Sequence, residues 1–70
     1  MEALEIFGRE LRAARQRAQL TQEELSLRAK VDRAALSRIE NGERDPRLST
    51  IVKLARALDL APQDLLRDVS

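Results

Sequence analysis

Residues 20–42 read Leu20-Thr21-Gln22-Glu23-Glu24-Leu25-Ser26-Leu27-Arg28-Ala29-Lys30-Val31-Asp32-Arg33-Ala34-Ala35-Leu36-Ser37-Arg38-Ile39-Glu40-Asn41-Gly42. Two helix starts lie in this stretch. Thr21 is followed three residues on by Glu24, the spacing of a capping box: the threonine oxygen accepts from a free amide of the first turn, and the glutamate reaches back to the threonine amide. Leu20 and Leu25 flank that cap as a hydrophobic staple. Asp32 is a second cap, and Val31 with Leu36 repeats the staple spacing around it. The helix opened by Thr21 ends near Ala29, so only Lys30 and Val31 separate it from Asp32. The next helix runs from Arg33 to about Asn41, and Gly42 sits where a left-handed terminating residue is wanted.

Two short helices joined by so tight a turn form a helix-turn-helix. On a wheel of 100° per residue, Arg33, Ala34, Ser37, Arg38 and Asn41 of the second helix fall within about 140° of arc. Ala35, Leu36 and Ile39 take the other side, with Glu40 on the boundary. The apolar side faces a core. The opposite side combines two arginines and an asparagine with two small residues, the types a DNA major groove requires. Arginine presents two parallel donors to guanine O6 and N7, and alanine or serine permits close approach to the bases. Surface helices commonly carry arginines, so this face gains meaning only from what surrounds it.

Outward from the motif, Phe7, Leu11, Ala14 and Ala18 make one apolar stripe on a first helix from about Leu4 to Ala18, leaving Arg9, Arg12 and Gln16 in water. After the loop Glu43-Arg44-Asp45-Pro46, a fourth helix begins between Arg47 and Ser49 and continues to Leu58, with Leu48, Ile51, Leu54, Ala55 and Leu58 facing inward. A fifth opens at Pro62, a residue suited to the first helical turn, and carries Leu65 and Leu66 before Val69. No segment alternates as a strand does. The expected fold is all-α: one compact five-helix domain over residues 1–70, with the motif at its second and third helices.

Seventy residues with no cysteine and no histidine hold no thiolate metal site and no ready general base. Dispersed Asp and Glu, without a glycine-rich phosphate loop, leave no plausible catalytic set, so no enzyme, cofactor, metal or small-molecule ligand is expected. Apolar runs are far shorter than the ~18 residues of a membrane span, and no signal segment is evident. A cytoplasmic, nucleoid-associated protein without a membrane partner is expected. The formal net charge is only +1, so DNA binding requires segregated charge. Arg33, Arg38, Arg44 and Arg47, with Arg28 or Lys30, would form the basic side. Glu2, Glu5, Asp59, Asp64 and Asp68 gather toward the chain ends.

From Phe7 to Leu66 the chain resembles the phage-repressor class of helix-turn-helix domains (Cro and the lambda repressor), also called the xenobiotic-response-element type. The resemblance is carried by Leu11 and Arg15, by Leu20-Thr21-Gln22-Glu23-Glu24-Leu25, by Leu36-Ser37-Arg38-Ile39-Glu40-Asn41-Gly42-Glu43-Arg44-Asp45-Pro46, and by Leu54-Ala55-Arg56-Ala57-Leu58 with Leu65-Leu66. It implies a bacterial or phage transcriptional regulator that binds an inverted-repeat operator in double-stranded DNA as a homodimer, with the third helix in the major groove. It further implies that Arg33, Ala34, Ser37 and Arg38 face the bases, that Thr21, Gln22, Asn41, Arg44 and Arg47 meet phosphate, and that Arg15 and Glu40 pair as a structural tie. The Asp32-Arg33 opening is similar to the small controller proteins of restriction–modification systems.

Three positions depart from the family pattern. Lys30 stands where a residue tolerant of positive φ is frequent, Ala61 where Ser or Thr usually caps the fifth helix, and Arg47 where Ser often opens the fourth. Leu65, Leu66 and Val69, with Leu60 nearby, exceed what one small core easily buries and are expected at a dimer interface. With no room for a ligand or cleavage domain, control is expected through protein concentration alone. The alternative is a helical protein–protein interaction module or antitoxin-like subunit. Such a groove wants apolar anchors at i, i+3, i+4 and i+7, which the outer face of the third helix lacks.

Overall fold

A computed structural model describes residues 2–69 as five helices: α1 (Glu2–Arg17), α2 (Gln22–Ala29), α3 (Arg33–Glu40), α4 (Leu48–Ala57) and α5 (Pro62–Leu66). Among the described residues there is no strand. α1 packs on α3 and α5, α2 on α3 and α4, and α4 on α5. Phe7, Leu11 and Ala14 of α1, Leu25 and Ala29 of α2, Leu36 and Ile39 of α3, Leu54 and Ala55 of α4 and Leu65 of α5 meet in one core, with Leu20 beside them. No helix among the described residues is long and apolar enough to cross a membrane.

Both motif helices begin as the cap spacing requires. Thr21 Oγ1 accepts from the Glu24 amide at 3.0 Å while Glu24 Oε1 accepts from the Thr21 amide at 2.9 Å. Asp32 Oδ2 accepts from the Ala35 amide at 3.1 Å. At α5, Ala61 lacks a side-chain acceptor, and only half of the equivalent arrangement forms, with Asp64 Oδ2 accepting from the Ala61 amide at 3.0 Å.

The first four helices stop in the same way. Leu20, Val31, Glu43 and Leu60 donate their amides to carbonyls five residues back, those of Arg15, Ser26, Arg38 and Ala55. Each donor follows a residue with positive φ: Gln19, Lys30, Gly42 and Asp59. This is the Schellman ending, whose following residue often packs back on the helix. Leu20 is buried, and Val31 and Leu60 lie against the core. The ending after α3 differs in both respects, with a glycine in the turn and a polar residue beyond it. Gly42, at φ 73°, also lies so close to α1 that a Cβ would come within 3.1 Å of the Glu5 Cα.

Four expectations need correction. α1 starts at Glu2 and ends at Arg17, and Ala18 is exposed because the chain has already turned away through Gln19. α3 ends at Glu40, with Asn41 as its C-cap. Leu48 is 70% exposed instead of core-facing, since it is the first residue of α4 and projects beyond the core. Leu65 is 1% exposed within this single chain, so it cannot also form a dimer interface.

Candidate nucleic-acid interface

α3 turns its two sides as the wheel requires. Leu36, Ile39 and Glu40 are buried, Arg33, Ala34, Arg38 and Asn41 are exposed, and Ser37 is half-buried beside them. The Arg33 and Arg38 side chains make no hydrogen bond or ion pair with any described residue, leaving their donors to solvent.

What aims this helix is a polar cluster built on its last turn. Glu40, 3% exposed, receives a two-pronged ion pair from Arg15: Nε to Oε2 at 2.7 Å and Nη2 to Oε1 at 3.0 Å. The third arm of the Arg15 guanidinium donates to the Leu20 carbonyl at 2.9 Å, tying the end of α1 into the same cluster. Gln22 Nε2 donates to Glu40 Oε1 at 3.1 Å, and Arg12 Nε lies 3.5 Å from that oxygen. Burial pushes the Glu40 carboxyl up. The bonds from Arg15 and Gln22, with the charges of Arg15 and Arg12, outweigh it and hold the group below its ordinary value. The bond to Glu40 in turn raises the Arg15 guanidinium. A buried charge so paired is satisfied, and no buried side-chain polar atom among the described residues lacks a partner.

Backbone contact completes the aim. A Cβ built on Gly8 of α1 would sit 2.5 Å from the Glu40 carbonyl oxygen and 2.6 Å from that of Ile39. Only glycine lets α1 approach the end of α3 so closely.

Around α3 lie the residues expected at phosphate. Thr21 is exposed at the start of α2. Its oxygen accepts the capping bond, so its hydroxyl hydrogen remains available to an anion. Gln22 is half-buried, with one amide hydrogen committed to Glu40. Asn41 is exposed and its Oδ1 accepts from Arg12 Nη2 at 2.9 Å. Arg44 and Arg47 are exposed beside Lys30 and Lys53 around a cleft of about 330 Å³ between the inner side of α3 and the start of α4. Glu24 is held by its bonds to Thr21, which lower its carboxyl below the ordinary value, whereas Glu23 is exposed in the same first turn.

On the other side of the Asp45-Pro46 loop, Leu66 and Val69 are half-buried and share an apolar cleft of about 240 Å³ with Leu4, Phe7 and Ile51. Sequence reasoning missed Arg12 and Gly8. Arg12 lies one turn before Arg15 on the same helix face, a spacing that could have marked it. Gly8 carries no such signal, because a close backbone approach is visible only once both helices are placed.

The sequence pattern of the helix-turn-helix family matches residues 11–65. The chain is 44% identical over 64 residues to the HTH-type transcriptional repressor RghR of Bacillus subtilis, covering 90% of this chain and 47% of that protein. It thus spans about half the length of that relative. Against the control protein C.BamHI of Bacillus amyloliquefaciens it is 36% identical over 62 residues, covering 87% of this chain and 76% of the other. The crystal structure of the restriction–modification controller protein C.AhdI of Aeromonas hydrophila superposes with a TM-score of 0.91 at 38% identity, covering 93% of this chain and 98% of that one. With sequence pattern, relatives and fold in agreement, this chain belongs to the Cro/repressor-like helix-turn-helix family, a family of DNA-binding regulators and not of enzymes.

Proposed function

We propose that the chain is a sequence-specific transcriptional regulator that binds an inverted-repeat operator in double-stranded DNA as a homodimer, each α3 entering a major groove. The observation carrying this reading is the outward side of α3. Arg33, Ala34 and Arg38 are exposed and uncommitted, while the same helix is anchored from behind by Leu36, Ile39 and the Arg15–Glu40 pair. A helix held from behind can lower its free side into a groove about 12 Å wide. Arg33, Ala34, Ser37 and Arg38 read base edges. Thr21, Asn41, Arg44 and Arg47 meet phosphate, joined by the first-turn amides of α2 around Gln22. The reading is supported by the likeness to RghR, a transcriptional repressor, and to the controller proteins C.BamHI and C.AhdI.

Leu66 and Val69, on the rim of the apolar cleft, support a two-fold contact that sets the half-sites about one turn, ~34 Å, apart. Cytoplasmic placement at the nucleoid accompanies this role. Selection from random duplexes tests it: an enriched inverted repeat is expected, with a steep loss of affinity as salt rises. Arg38→Ala should then lose about 1–3 kcal/mol of discrimination at one base pair of each half-site. Equal binding to every duplex, or to none, would overturn the proposal.

A further inference from the structure

Beside the end of α3 lies a shallow cleft of about 360 Å³ whose walls are Arg9 and Arg12 of α1, Asn41 and Gly42, with Glu5 at the rim and Glu40 behind. The family resemblance assigns no role to Arg9 or Arg12. Chemistry within the cleft fixes the direction of its polar groups. A guanidinium has no acceptor, so Asn41 can only turn its oxygen toward Arg12, as the 2.9 Å bond from Arg12 Nη2 to Oδ1 requires. Its other terminal atom, Nδ2, is a pure donor, and it is left on the exposed side of the residue. The Arg12 side chain is itself 46% exposed, with its Nη1 donors unengaged, and Arg9 is exposed with no bond to any described residue. Two carboxylates line the cleft: Glu40 is paired with Arg15 and buried, and the single charge of Glu5 is outnumbered by those of Arg9 and Arg12.

We propose that Arg9, Arg12 and Asn41 form a phosphodiester-binding site at the C-terminal end of α3, adding a backbone contact through α1 to those of the helix-turn-helix itself. Arg12 has two functions there. It donates to the phosphate and it orients the Asn41 amide so that its N–H groups face the same anion. The lone donor set suits a phosphate oxygen, which accepts only, and not a base edge, which alternates donors and acceptors.

This site rests on the DNA-binding reading, and one experiment separates their failures. The full chain is titrated with its selected operator and with a random duplex across salt, then with operators carrying a single neutral methylphosphonate at successive positions. The double variant R9A/R12A is expected to bind both duplexes roughly tenfold more weakly, an equal factor for each, because phosphate contacts carry no sequence information. Its log–log salt slope should fall by about 0.9 for each phosphate charge no longer neutralised. One methylphosphonate position should weaken the wild type and leave the double variant unchanged. N41D keeps the acceptor for Arg12, and thus the fold, but turns an oxygen toward the phosphate, and it should lose at least tenfold in affinity with an unchanged melting temperature. Should R9A/R12A fail to fold, the single variants R9Q and R12Q, which keep a polar side chain while removing the charge, decide the matter by the same equal loss on both duplexes. Wild-type affinity and slope in R9A/R12A, or wild-type binding by N41D, would overturn the site while leaving the regulator intact. Absence of duplex binding by the wild type would overturn both.

Discussion

The two ends of α3 are held by different means. Its first turn is fixed from within by local devices: Asp32 caps it, Val31 and Leu36 brace it, and Arg33 and Ala34 point to solvent. Its last turn is gripped from outside. Gly8 brings α1 against its carbonyls, Arg15 and Gln22 fasten Glu40, and Arg12 holds Asn41. Local devices decide whether the helix begins; the grip of α1 decides where it points. Damage at the C-terminal end should therefore be global, and damage at the N-terminal end slight.

The largest expected effect is at Gly8. In Gly8→Ala the new methyl would meet two backbone oxygens that no rotamer change can move, and a loss of at least about 4 kcal/mol in denaturant unfolding is expected. A variant of near wild-type stability would show that the close approach is not required.

Next comes Arg15→Ala, which leaves the buried Glu40 carboxylate without its main counter-charge and should cost about 3 kcal/mol. The same pair governs the response to acid. Glu40 and Glu24 have folded values below the ordinary 4.5, so the stability they contribute is complete above that value. It is lost as pH falls through the lower folded values, where the native state must take up protons that the unfolded chain already holds. The chain has no histidine, so melting temperature should be nearly flat between about pH 6 and 8 and fall below about pH 4.5. In Glu40→Gln the acid loss should become shallower, and an unchanged acid profile would remove Glu40 from this role.

Smaller effects belong to the N-terminal end. Asp32→Ala removes one cap and should cost about 1 kcal/mol. At Lys30, the φ of 57° strains a side-chain-bearing residue. Replacement by glycine relieves that strain but adds freedom to the unfolded chain, so Lys30→Gly should gain only about 0.5 kcal/mol in thermal melts. Should Asp32→Ala prove as damaging as Arg15→Ala, the contrast between the two ends would disappear.

This contrast also explains what was legible in the sequence. Capping boxes, staples and turn glycines act over a few residues, and their spacing survives in the chain as written. Thr21, Glu24, Asp32 and Gly42 therefore mark real helix boundaries. The sidedness of α3 is equally local, a consequence of helical period. Features that join distant segments leave weaker traces. Arg15 with Glu40 was accessible through family resemblance alone, while Gly8 against Ile39 and the Arg12–Asn41 bond depend on where α1 lies. Leu48 and Leu65 were misassigned for the same reason: hydrophobicity marks both as candidates for burial, but only packing decides that Leu65 reaches the centre and Leu48 overhangs it.

The side chains of Arg33, Ala34 and Arg38 bond to no other described residue. Their identities can therefore drift across relatives without disturbing assembly of the domain. On the proposed function, a change there would rewrite the address being sought, whereas a change at Gly8 or Arg15 would tilt the whole reading head. On that reading specificity rests on α3 and its aim on α1, so the same chassis could be retargeted by a few surface substitutions.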